Sequence, residues 1–78
     1  MADPKNRITC DEVCAAKGLT CHEETDWGVG TSGMLQTFSA KPNEMRLILG
    51  DCDEVPLASV NRIGVDEPLV AYQCGCVP

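Results

Sequence analysis

Six cysteines in 78 residues, placed as Cys10-x3-Cys14 near the start, Cys21 and Cys52 in the middle and Cys74-x-Cys76 at the end, constrain this chain more than any other feature. In a helix, residues i and i+4 share a face and lie about 6 Å apart along the axis. In a strand, residues i and i+2 share a face about 6.6 Å apart. The two spacings match, so a helix carrying Cys10 and Cys14 laid along a last strand carrying Cys74 and Cys76 forms two parallel bridges. These join Cys10 to Cys74 and Cys14 to Cys76, or run in the crossed arrangement, and Cys21 and Cys52 then pair by elimination. Six cysteines allow fifteen connectivities, and spacing alone does not choose among them.

A single unit of this size hides only about 60% of the surface of its unfolded chain, so its apolar core is marginal and needs staples. Disulfides persist in oxidising compartments, which makes secretion the expected destination, either as a whole protein or as an extracellular module of a larger one. The start, Met1-Ala2-Asp3-Pro4-Lys5, has no apolar stretch of the signal-peptide kind. Residues 1–8 are expected to be a flexible segment or a cloning remnant, with residues 9–78 forming one stapled domain. No apolar run approaches the roughly 18 residues of a membrane span.

The net charge is −6, from 12 acidic and 6 basic residues. That balance speaks against nucleic acid, whose phosphates attract Lys and Arg, and against lysis of anionic membranes. The acidic residues gather as Glu23-Glu24-Asp26, Asp51-Asp53-Glu54 and Asp66-Glu67, each read first as a solvated turn. Asp51-x-Asp53-Glu54 has some calcium-clasping character but lacks the twelve-residue loop and terminal glutamate of an EF-hand.

The clearest local element is a short helix over 9–18. Thr9 and Glu12 form a Thr-x-x-Glu capping box, Asp11 and Glu12 sit at the positive end, Lys17 sits near the negative end, and Gly18 stops the helix. Strand-like segments follow at 19–23, 34–39, 45–49, 57–63 and 69–76, read as an antiparallel meander. Met45, Leu47 and Leu49 alternate with Arg46 and Ile48 in the pattern of a half-buried strand. Three glycines within 26–33 predict a mobile loop there. The expected fold is therefore small α+β: one N-terminal helix packed on an antiparallel sheet of three to five strands.

Cys10-x3-Cys14, Gly50-x-Cys52 and Cys74-x-Cys76 together resemble the cysteine-stabilised helix-and-sheet framework of defensins and scorpion toxins. The resemblance implies one helix clipped to a sheet. Here Cys21 follows the helical pair instead of preceding it, and the helix-to-final-strand spacing is longer. Channel blocking and microbial killing do not carry over, since they accompany basic surfaces.

Catalysis finds little support. His22 is the only histidine, and neither Gly-x-Ser-x-Gly nor His-Glu-x-x-His occurs. A nucleophile would have to be built around His22 with Ser32, Ser39, Ser59 or an unpaired cysteine. Gly28-x-Gly30-x-x-Gly33 follows no buried strand and opens no helix, so it is not a dinucleotide fingerprint. A zinc site from Cys10, Cys14, His22, Cys74 and Cys76 lacks the usual Cys-x2-Cys knuckle, and no metal or cofactor is expected. Asn6, Asn43 and Asn61 head no glycosylation sequon. The expected role is a monomeric ligand of an extracellular or host protein, such as an effector, a toxin-like factor or a signal. Two alternatives are a protease inhibitor presenting Val55, Pro56 and Leu57 within the loop at 54–59, and a carbohydrate-binding module using Trp27. Trp27 is either an exposed anchor or the largest piece of a core poor in aromatics.

Overall fold

The computed structural model describes residues 6–40 and 44–78, without the Arg62 side chain. The one helix among the described residues, α1, spans Cys10–Ala15. Thr9 is the N-cap, in extended conformation, and its hydroxyl accepts the Glu12 amide at 3.2 Å. The Glu12 carboxylate accepts from the Thr9 hydroxyl at 3.3 Å, so the two side chains of the capping-box pair meet each other. At the other end, Gly18 adopts φ +72°. Its amide donates to the Ala15 carbonyl and the Leu19 amide to the Cys14 carbonyl, the bond pair of a Schellman stop. Lys17 falls beyond the last turn, which contains no basic residue.

A six-residue helix is too short to persist by itself in water. Disulfides hold it: Cys10 to Cys74 and Cys14 to Cys76, each with Cα atoms 5.4 Å apart, while Cys21 pairs with Cys52. The uncrossed arrangement is thus the one adopted, and all six sulfurs are paired.

The strands, in chain order, are β1 (Thr20–Cys21), β2 (Thr25–Asp26), β3 (Thr31–Ser32), β4 (Met34–Ala40), β5 (Glu44–Gly50), β6 (Ser59–Arg62), β7 (Val65–Cys74) and β8 (Cys76–Val77). They form three antiparallel sheets: β5-β4-β7-β6, β1-β8 and β2-β3. The architecture is α+β with a minor helix. Two expectations need correction. The main sheet is not a meander, because the connection after β5 crosses the sheet and delivers β6 to the opposite edge. The final strand is not continuous either. It breaks at buried Gly75, whose amide donates to Gly33 and whose carbonyl accepts the His22 amide at 2.7 Å. A Cβ at that position would collide with the Thr25 side chain, so only glycine fits this close approach. The two helix bridges consequently end on two different sheets.

The inner face of the main sheet carries Met34, Gln36 and Phe38 from β4 with Leu69 and Tyr72 from β7, all buried. Cys10 joins Met34, Phe38, Leu69 and Tyr72 in the core, with Val13, Ile48 and Val60 packed against it. On β5 the expected face is reversed. Met45 and Leu47 are exposed, while Ile48 points inward, as does Arg46, which forms a two-pronged ion pair with buried Glu67 at 2.5 and 3.2 Å. Both alternating sets of β5 contain apolar residues, so the pattern could not choose, and an inward cation for Glu67 decides. Glu67 is therefore not part of a solvated turn. Its hydrogen bonds raise the pKa of Arg46, and attraction to Glu67 and Glu44 adds to the shift against the opposing effect of burial.

Of the N-terminal segment 1–8, residues 1–5 lie outside the described set. Asn6 and Ile8 bond the buried Tyr72 hydroxyl, which donates to the Asn6 carbonyl and accepts the Ile8 amide.

Candidate functional site

The connection between β5 and β6, residues 51–58, passes over the inner face and brings the candidate residues Val55, Pro56 and Leu57 together. It is tied at both ends and at Pro56 and Leu57 in the middle. Cys52 is bonded to Cys21, its amide donates to Glu23 at 3.1 Å, and its carbonyl accepts the Asp11 amide at 3.0 Å. Asp51 and Glu54 close a turn in which the Glu54 carboxylate accepts the Asp51 amide. Pro56 is fully buried, and its carbonyl accepts from the Arg7 guanidinium at 2.9 Å. The Leu57 amide donates to the side chain of buried Gln36 at 2.8 Å. The Ala58 carbonyl accepts from Leu69.

On this fixed backbone Val55 and Leu57 point outward, 54% and 50% exposed. The alternation follows from extended geometry: Pro56 is the plug, and its two neighbours face the other way. Such an arrangement offers two aliphatic side chains with little backbone entropy left to lose. It also uses up both hydrogen-bonding groups of the Pro56–Leu57 peptide, which a protease would need in order to hold the loop like a substrate strand.

Trp27 lies elsewhere. The segment expected as a mobile loop is the β2–β3 hairpin, closed between Trp27 and Gly30 with Gly28 and Val29 as its turn. Gly28 has φ +84° and Gly30 φ +141°, so these glycines serve turn geometry. The Trp27 ring is half-buried, and its indole N–H donates to the Ser32 carbonyl at 3.0 Å. The Gly28-x-Gly30-x-x-Gly33 run leads into β4 and not into a helix.

The acidic groups act as fasteners. Glu23 binds the Cys52 amide, Asp26 accepts the Gly28 amide at 2.8 Å, Glu54 closes its turn, and Asp66 accepts from Asn61 at 3.1 Å. Asp11, Cys21 and Cys52 bring potential metal ligands within 4.8 Å of one another, but the two sulfurs are bonded to each other and offer no thiolate. The same holds for the four sulfurs of the zinc set considered with His22. The Ser32 hydroxyl is buried and donates to the Met34 carbonyl. Among the described residues, no helix is long and apolar enough to cross a membrane.

One residue escaped the sequence reading. Ile63, expected as the end of a strand, is the first residue of the two-residue β6–β7 turn, with φ +52° followed by Gly64 at +77°. Two positive φ values define a type I′ turn, which favours Asn, Asp or Gly. A left-handed conformation costs a non-glycine residue about 1–2 kcal/mol. Gly64 after an apolar run was the available signal for the turn.

The chain matches no protein-family model, no curated protein and no solved structure. Three disulfides in a chain this short are typical of extracellular proteins.

Proposed function

We propose that this protein is a non-catalytic extracellular ligand that binds another protein through the tethered segment 51–58. The observation that carries the reading is the exposure of Val55 and Leu57 on a backbone fixed by the Cys21–Cys52 disulfide, buried Pro56 and hydrogen bonds at Cys52, Glu54, Pro56, Leu57 and Ala58. Exposed aliphatic side chains held in one conformation lose little entropy on binding, so the contact area they offer is realised as affinity. The net charge of −6 favours a partner with a basic rim and speeds encounter with it.

The protease-inhibitor reading draws on the same rigidity, but the Pro56–Leu57 peptide is already bonded internally. The carbohydrate reading is weaker, because Trp27 is half-buried and its N–H is occupied. Wild type and a Val55→Asp/Leu57→Asp variant, screened against immobilised purified extracellular ectodomains, a protease panel and a glycan panel, separate these readings. Binding to an ectodomain that weakens about thirtyfold or more in the variant is the expected result. Leu57-dependent inhibition of a protease, or a Trp27 fluorescence shift with a glycan, would overturn it.

A further inference from the structure

We propose that the tip of the β6–β7 hairpin is a second contact site, where Ile63 is a knob that enters an apolar pocket of the partner protein with Val65 beside it. The proposal rests on the partner-binding reading and adds a residue and a pocket chemistry to it. Two independent observations meet at Ile63. It is the only non-glycine residue with positive φ among those described, and its side chain is 100% exposed. A β-branched side chain is among the least suited to that backbone conformation. Among the described residues nothing offsets the strain, because a fully exposed side chain packs against none of them. A local choice that contradicts turn chemistry and contributes no internal contact marks a position kept for something outside the molecule.

The tip is also built to present the side chain. Arg62 and Val65 pair across the strands at the turn, and the Asn61 amide holds the Asp66 carboxylate one step further back. Two tight turn residues on a paired ladder leave little backbone freedom, and β-branching leaves Ile63 few rotamers, so binding orders little that is not already ordered. Val65, 45% exposed, widens the apolar contact on the return strand. The matching surface is a pocket of aliphatic and aromatic side chains. A protein pocket fits better than a bilayer, since one aliphatic knob on a chain of net charge −6 is poorly suited to an anionic lipid surface.

The test compares wild type with Ile63→Asn and Ile63→Leu. Asparagine accepts the left-handed conformation, so Ile63→Asn should raise the thermal midpoint by about 4 °C or more. On the ectodomain array the same variant should bind about thirtyfold more weakly, while Ile63→Leu, which keeps the apolar bulk, retains most of the affinity. An unchanged or lowered midpoint overturns the proposal, because position 63 then carries no strain to explain. Binding that is lost in Val55→Asp/Leu57→Asp but unchanged in Ile63→Asn overturns it and leaves the function proposed above standing. Absence of any ectodomain that binds wild type overturns both. Ile63-dependent binding to phosphatidylcholine vesicles, or an Ile63-dependent dimer in sedimentation, overturns the protein pocket in favour of a bilayer or a second copy.

Discussion

The two ends of the four-stranded sheet are held by different physics. At the end where β4 begins and β5 and β7 finish, Met34 pairs with both Gly50 and Cys74, and all three disulfides gather around that corner. Cys21 lies directly opposite Cys76 in the β1–β8 pair, so the second and third bridges are neighbours. The ten residues of β7 then carry the sheet about 30 Å away to the β6–β7 turn. There no bridge exists. That open end relies on Phe38, Leu69 and Val60 and on the Arg46–Glu67 pair. Covalent closure secures the end where the polar crossing segment must be held flat, and the open end tolerates a strained turn.

The largest test of this contrast removes one staple. The first of the two bridges that close the long loop, with sequence separations of 64 and 62, contributes about 4 kcal/mol in the chain-entropy model, whereas the second closes only a ring of about eight residues and adds about 2.5 kcal/mol. Because Cys14–Cys76 still closes the long loop, Cys10→Ala/Cys74→Ala should lower the unfolding free energy by about 2.5 kcal/mol, read by denaturant titration. Hydrogen exchange should show β1, β8 and α1 losing protection first. A loss that begins instead at the β6–β7 hairpin would mean that the bridges do not act locally and that the division into two ends is wrong.

The open end is probed by Glu67→Gln, which keeps the shape of the side chain and discharges it. Losing a buried charge-assisted hydrogen bond costs about 2 kcal/mol, and the exchange rates of β6 and the start of β7 should rise while those of β1 and β8 stay unchanged. The pH dependence gives a companion check. The Arg46 pKa is raised on folding, so its contribution is complete below the unfolded value and lost only above it. Between about pH 5 and 9 stability should show no loss from Arg46.

What could be read in the sequence follows the same division. The stapled end was legible because its rules are local or covalent: Thr9 and Glu12 lie three residues apart, Gly18 stops the helix, and two cysteine pairs share a spacing near 6 Å. The open end was not. Glu67 finds its cation 21 residues away on a strand that is not its sequence neighbour, so it looked like one more solvated carboxylate. Met45 and Leu47 alternate as cleanly as a buried face would, and only the position of Glu67 turns them outward. The segment 26–33 misled for a different reason, since glycine serves a tight turn and a loose loop equally well. For the candidate site, exposure of Val55 and Leu57 could be guessed from Pro56, but the tethers from Arg7 and Gln36 could not.

The smallest effect is also the one that separates local from global stability most cleanly. Thr9→Ala removes the N-cap of a helix whose ends are both fixed by disulfides through Cys10 and Cys14. A cap of this kind is worth about 1 kcal/mol where helix formation and folding are coupled. Here the bridges hold the turn in place after the cap is lost, so the global midpoint should move by less than that. The Glu12 amide should exchange faster, because it loses the hydroxyl acceptor and keeps only the backbone carbonyl of residue 9. In the Cys10→Ala/Cys74→Ala background the same substitution should cost the full amount of about 1 kcal/mol. Equal costs in the two backgrounds would show that the staple and the cap act independently, and that the helix is held by its own ends and not by the corner it is clipped to.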